Sequence, residues 1–139
     1  MPNIVGGCLC GEVRYESEAE PVLTALCHCT HCQKQTSSAF SVLVALPKGS
    51  LRMEGPPLAF FEDIGDSGLP VLRKFCPQCG SPIVSELVAT PDLDWLKAGT
   101  LDDPSWLGPQ MNIWCSSAQP WVGIDDAIPA YAGNPPLGG

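Results

Sequence analysis

The 139-residue chain is 45% hydrophobic, enough apolar material to bury a core within one domain and too much for a disordered segment. Its net charge of −8, from 15 acidic against 7 basic residues, argues against a nucleic-acid or anionic-membrane surface, either of which needs clustered lysine and arginine. Fourteen glycines and fifteen prolines favour short strands and many turns, and no apolar run approaches the ~20 residues that cross a bilayer.

The chain opens with neither a basic stretch nor an apolar one behind it, so export is not expected. In the cytoplasm so implied, eight clustered cysteines are expected to hold metal rather than form disulfides.

Cys8-Leu9-Cys10-Gly11 comes first in the chain, and residues 12–16 follow with the alternation of a half-buried strand. Glycine directly after the second cysteine suits a metal knuckle, whose backbone bends so tightly that only glycine adopts it freely. Residues 23–27 form a short expected strand leading into Cys27-His28-Cys29-Thr30-His31-Cys32, and residues 30–38 have room for one or two helical turns. On an extended segment Cys27 and Cys29 share a face while His28 points to the other, and a helix starting there sets Cys29 and Cys32 one turn apart. All three thiols can then reach one ion.

Residues 40–46 read as a buried strand, with further strands expected at 51–53, 58–61, 71–75, 83–87 and 95–98 and surface loops at 55–57 and 63–70. Cys76-Pro77-Gln78-Cys79-Gly80 repeats the glycine-closed turn of the first cysteine pair. Residues 112–114 and 121–124 are the last expected strands, and 130–139 the expected loose tail.

Two partitions of the cysteines follow. In one, Cys8, Cys10, Cys76 and Cys79 make a closed tetrahedral site, and Cys27, Cys29 and Cys32 make a second site with three ligands. In the other, Cys29, Cys32, Cys76 and Cys79 make a zinc ribbon, leaving Cys8, Cys10 and Cys27 without a shared role. Turn chemistry favours the first, because Gln33 rather than glycine follows Cys32. Four protein ligands are how structural zinc is held, whereas three and a vacant position are how catalytic zinc is held.

Lys34, Arg73 and Lys74 flank the cysteine motifs and are candidates to receive substrate carboxylates, set against the ordinary expectation of solvated surface charge. His28 and His31 are candidates for completing a shell or moving a proton, with backbone hydrogen bonding the plainer expectation. Cys115 has no partner nearby in sequence and is expected to be a buried, inert thiol. Trp95, Trp106, Trp114 and Trp121 are expected in packing.

Taken together, Cys8-x-Cys10-Gly11, Cys27-x-Cys29-x-x-Cys32, Phe75-Cys76-x-x-Cys79-Gly80-Ser81-Pro82, Ala98-Gly99-Thr100-Leu101-Asp102 and Pro120-Trp121 resemble the glutathione-dependent formaldehyde-activating enzyme family over nearly the whole chain. The resemblance implies a mainly β fold, a β-tent of small antiparallel sheets stabilised by zinc with little helix. It also implies two zinc ions per chain, a structural one on Cys8, Cys10, Cys76 and Cys79 and a catalytic one on Cys27, Cys29 and Cys32, the retention of the latter being left open. The activity implied is a carbon–sulfur lyase reaction joining or splitting a thiol, glutathione in the family, and formaldehyde. The chain departs from the family where Gln33 replaces a frequent Arg, Ser37 a frequent Gly and Asn112 a frequent His. With Gln33 and Lys34 the nearest polar neighbours of the third cysteine, the expected substrate is a small thiol or thiol–aldehyde adduct. The competing expectation is a non-catalytic, zinc-stabilised binding module.

Overall fold

The computed structural model describes residues 4–135. Among them the chain forms ten strands and one α-helix, so the mainly β fold expected from the sequence is found, and no helix is long and apolar enough to cross a membrane. The chain divides into two compact units, one comprising residues up to 22 with 44–106, the other residues 23–43 with those from 107 onward.

In the first unit β1 (Ile4–Gly7), β2 (Arg14–Ser17) and β5 (Arg52–Glu54) form an antiparallel sheet in the order β1-β2-β5, with Ile4 opposite Ser17 and Arg14 opposite Glu54. The second run of strands is β4 (Ser41–Pro47, whose residues from Val44 lie in this unit), β9 (Leu93–Lys97), β8 (Pro82–Leu87), β7 (Pro70–Phe75) and β6 (Ala59–Ile64), in that order. Ile4, Val13, Val44, Leu46, Ile83 and Leu96 are the large aliphatic side chains of this unit that are fully buried. Burial of that kind contributes about 1.5–3 kcal/mol per large aliphatic side chain.

Strand β1 carries no sequence signal, because Ile4-Val5-Gly6-Gly7 has two glycines that weaken a strand by propensity. The fold needs at least one of them: a Cβ on Gly6 would collide with the Thr100 carbonyl oxygen and the Tyr15 hydroxyl. Tyr15 Oη in turn lies 2.6 Å from Thr100 Oγ1, Thr100 Oγ1 donates to Lys97 O at 2.8 Å, and Asp102 N donates to Val5 O at 3.0 Å. Arg14 closes the set with a bidentate ion pair to Asp102. The Ala98-Gly99-Thr100-Leu101-Asp102 motif is thus a clasp between its own 3-10 turn, Ala98–Thr100, and the β1-β2 hairpin.

In the second unit β3 (Leu23–Cys27) pairs with β10 (Met111–Ile113), with Ile113 opposite Cys27. That pairing is parallel, a departure from the antiparallel sheets expected. The helix α1 (Thr30–Thr36) starts because the Cys29 sulfur accepts the Cys32 N–H at 3.2 Å, an N-cap supplied by a thiol. It ends at Ser37 in the left-handed region (φ 55°), whose N–H returns to Gln33 and Lys34 carbonyls. No strand forms over 121–124, where Val122 N donates to Gln119 O in a turn. The loose tail expected from residue 130 is tied down over 130–134: Tyr131 N donates to Asn112 O, Cys115 N to Tyr131 O and Trp114 N to Gly133 O. Residues 136–139 of that expected tail lie outside the described residues.

Gly55 sits at φ +108°, and a Cβ there would run into the Glu12 carbonyl oxygen beside the first cysteine turn. Gly55→Ala is expected to destabilise the protein by about 2 kcal/mol or more, from both backbone strain and the collision, measured as a lowered midpoint of chemical denaturation.

Candidate metal centres

Four thiols of the first unit, Cys8, Cys10, Cys76 and Cys79, bring their sulfurs within 4.8 Å of one another. Two turns produce the convergence. In the first, Cys8 N donates to Val13 O at 3.0 Å, Gly11 N to Cys8 O at 3.2 Å, and Gly11 takes φ +84°. In the second, Cys76 N donates to Ser81 O at 3.0 Å, Gly80 N to Cys76 O at 2.9 Å, and Gly80 takes φ +78°. A Cβ at either glycine would meet no heavy atom within 4 Å, so the requirement is the left-handed backbone itself and not space. Backbone amides point at the sulfurs, Val13 N at Cys8 Sγ (3.3 Å) and Gln78 N at Cys76 Sγ (3.4 Å).

The donor set fits a tetrahedral thiophilic ion. Sulfurs held ~2.3 Å from a common centre are about 3.8 Å apart; here Cys8 and Cys10 sulfurs lie 3.5 Å apart and those of Cys10 and Cys76 3.8 Å. Charge points the same way. The Ser81 hydroxyl, 3.2 Å from Cys79 Sγ, lowers that thiol to about 5. At Cys10 the Glu12 backbone bond favours the thiolate, but desolvation and the three neighbouring thiols outweigh it and push the thiol up to about 12. Four thiolates so close cannot coexist without a cation between them.

In the second unit the sulfurs of Cys27, Cys29 and Cys32 also lie within 4.8 Å of one another. Cys27 and Cys32 are buried and Cys29 half-buried. Contacts with Cys29 and then Cys32, together with burial, push the Cys27 thiol up. Cys29 is raised as well: its contact with Cys27 lowers it, and the Cys32 thiol and burial more than reverse that. Among the described residues no fourth His, Cys, Asp or Glu joins this group. The thiols therefore assort as in the first partition, and the ribbon of Cys29, Cys32, Cys76 and Cys79 does not form.

The surroundings of this cluster are polar and tightly bonded. Gln33 Nε2 donates to the carbonyls of His28 (2.6 Å) and Ser117 (3.0 Å), while its Oε1 accepts from Gln119 Nε2 at 2.8 Å. It thereby holds the end of β3, the start of α1 and the 3-10 turn Cys115–Ser117 together. His28 is fully buried with its ring against Phe40, and its Nε2 lies 2.9 Å from Asn112 Oδ1. That oxygen accepts, so Nε2 carries the proton. Neither His28 Nδ1 nor Asn112 Nδ2 has a hydrogen-bond partner.

Other residues singled out in the sequence are not members of either cluster. His31 and Lys34 are exposed on α1. Arg73 is buried and ion-paired with Asp63 at 2.9 Å, and Lys74 is paired with Glu86 at 2.6 Å. Cys115 is half-buried, outside both thiol groups, and its thiol is raised by burial. Sequence reasoning quotes Ser81 within a motif but gives it no role, and misses Gln119 altogether, since only the fold sets the one against a sulfur and the other against an amide.

Fold and clusters together define a small, mainly β protein with two cysteine centres able to hold metal ions. The chain belongs to the glutathione-dependent formaldehyde-activating enzyme family, whose model matches residues 3–117. The crystal structure of a Rhodobacter sphaeroides protein is similar in fold, with a TM-score of 0.58 at 17% identity over 91% of this chain and 99% of that one. No curated protein matches the sequence.

Because both ends of the Gln33 amide are bonded, Gln33→Ala is expected to lower stability by about 1–2 kcal/mol. Gln33→Glu is expected to cost more at neutral pH, since a carboxylate would face the two carbonyl oxygens that the amide now donates to. Thermal melts of the two variants beside the wild type check the order.

Proposed function

We propose that the protein is a cytoplasmic zinc-dependent carbon–sulfur lyase that joins or splits a small thiol and a small aldehyde at Cys27, Cys29 and Cys32. The observation that carries this reading is the inequality of the two centres, one a closed set of four thiols and the other a set of three, in a chain of a family named for formaldehyde activation. In this reading Cys8, Cys10, Cys76 and Cys79 hold a structural zinc and the three central cysteines a second one with a coordination position to spare. A zinc ion held there supplies the positive charge that favours a substrate thiol as thiolate. In the joining direction the sulfur attacks the carbonyl carbon, the C–S bond forms, and the carbonyl oxygen takes up the proton that the thiol gave up; splitting is the reverse. Gln33 and the His28–Asn112 pair keep the cysteine-bearing backbone in place during the exchange.

Metal analysis tests the assignment. The wild type is expected to carry two zinc ions per chain. Cys29→Ser is expected to stay folded with about one ion fewer and no lyase activity, because the three central ligands are local in sequence and close no long loop. Cys79→Ser is expected to unfold, because the binding free energy of a structural zinc is folding free energy. A Cys29→Ser protein that collapsed like Cys79→Ser would favour the alternative of a non-catalytic, zinc-stabilised module.

Charge sets the substrate preference. A chain of net charge −8 repels the carboxylates of glutathione, and Gln33 offers an amide already bonded to backbone. The remaining cation on α1 is Lys34, exposed in the last turn. A neutral thiol such as 2-mercaptoethanol is expected to bind the zinc-loaded protein at least as well as glutathione, and Lys34→Glu to weaken glutathione binding by about 1 kcal/mol. Calorimetric titration of both thiols decides it, and micromolar glutathione affinity unchanged by Lys34→Glu would count against the preference.

A further inference from the structure

Strand β6 ends its run of strands, and no described strand pairs with its far side. It is also unusually apolar for an edge: Phe60, Phe61 and Ile64 are 58%, 62% and 54% exposed. Natural edges are normally shortened, charged or covered, because their unpaired backbone is a template for another strand.

The hydrogen-bond pattern shows which groups are offered. Val88 N donates to Pro70 O at 3.1 Å, so Pro70 turns its backbone toward β8. Ile64, directly opposite Pro70, therefore turns its own N–H and C=O away from β7, and alternation gives Glu62 and Phe60 the same outward direction. At Ile64 the outward N–H is already taken by Asp63 Oδ1 at 2.8 Å. The open edge is thus the backbone of Phe60 and Glu62, two residues apart.

We propose that this edge is a self-association surface, on which a second copy of the chain pairs its own β6 antiparallel about a two-fold axis at Phe61. Two such edges complete each other in one register: Phe60 opposite Glu62 of the second copy, and the reverse, each exchanging both N–H···O bonds. Phe61 then meets its own counterpart at the close, non-hydrogen-bonded position, where aromatic pairs stabilise an antiparallel ladder. The register one step toward Ile64 sets Glu62 against Glu62 and is disfavoured by like charge. The partner is a second copy rather than a foreign strand because the spacing of open groups and the position of Phe61 are self-complementary. In this register residues 59–63 of the two strands overlap, a contact about 17 Å long that belongs with small and reversible interfaces. Since each copy carries −8, screening should strengthen it.

The test is sedimentation equilibrium of the zinc-loaded full chain up to about 500 µM, a range suited to weak interfaces. The wild type should show a monomer–dimer equilibrium that tightens as salt rises. Glu62→Pro removes only an outward N–H, which an edge strand tolerates, and should be monomeric with its melting temperature and zinc content retained. If that variant fails to fold, Phe61→Lys, at a site already in solvent, should be monomeric instead. Register is read by mild oxidation, with the wild type as control. Phe61→Cys should gain a cross-linked dimer and Phe60→Cys should not, because only Phe61 faces its own counterpart. A wild type that stays monomeric, including one that instead binds an added strand-forming peptide, overturns the proposal. So do a dimer that survives both Glu62→Pro and Phe61→Lys, or cross-linking through position 60 as readily as through 61.

Discussion

Four sulfurs cannot approach within bonding distance of one ion unless the two turns that carry them are brought together, and in this chain those turns are far apart: Cys10 and Cys76 are separated by 66 residues. The first unit is arranged around that meeting. The bulge between Lys74 and Phe75 re-aims the chain as β7 runs into Cys76, Gly55 lets the segment after β5 pass beside Glu12, and Ser81 serves both turns, its carbonyl fixing Cys76 and its hydroxyl bonding Cys79 and the Leu9 amide. The convergence of ionisable thiols is unfavourable by itself and would become favourable with a cation bound, so a metal held there would add to the stability of this unit.

The second cluster is built differently. Its three cysteines span six residues, and their approach follows from a strand running into a helix whose cap is one of the thiols. Local geometry is enough to gather the sulfurs, so long-range contacts serve to hold the backbone behind them. Gln33 and His28 do this from inside the motif, Ser117, Gln119 and Asn112 from the far end of the chain, with the hydrogen-bonded segment 129–134 fastened over Asn112 and Trp114 in turn. Trp114 adopts φ 58°, a conformation that costs a non-glycine residue about 1–2 kcal/mol. Its amide and indole bonds to Gly133 and Asn134 offset that strain.

Most of the architecture was legible because the signals are local. Strands β3, β4, β7 and β8 announce themselves as short, apolar-rich runs set between turn residues and the cysteine motifs, β4 and β8 also through β-branched residues, and the extent of α1 follows from the short polar stretch after Cys29. Spacing and the glycine after each knuckle were enough to divide seven cysteines into a four and a three, since those residues are needed by the turn itself. What the sequence could not decide were features whose cause lies elsewhere in the chain. Strand β1 exists because Gly6 admits Thr100 and Tyr15; residues 121–124 make a turn, not a strand; residues 130–134 are bonded because β10 leaves its backbone open to them. Arg73 and Lys74 read as cations available to a substrate, and only the pairing of β7 with β6 and β8 set them against Asp63 and Glu86. Residue type and short-range spacing determine which chemistry a segment can take part in; which partner uses up that capacity is settled by strands that meet from distant parts of the chain.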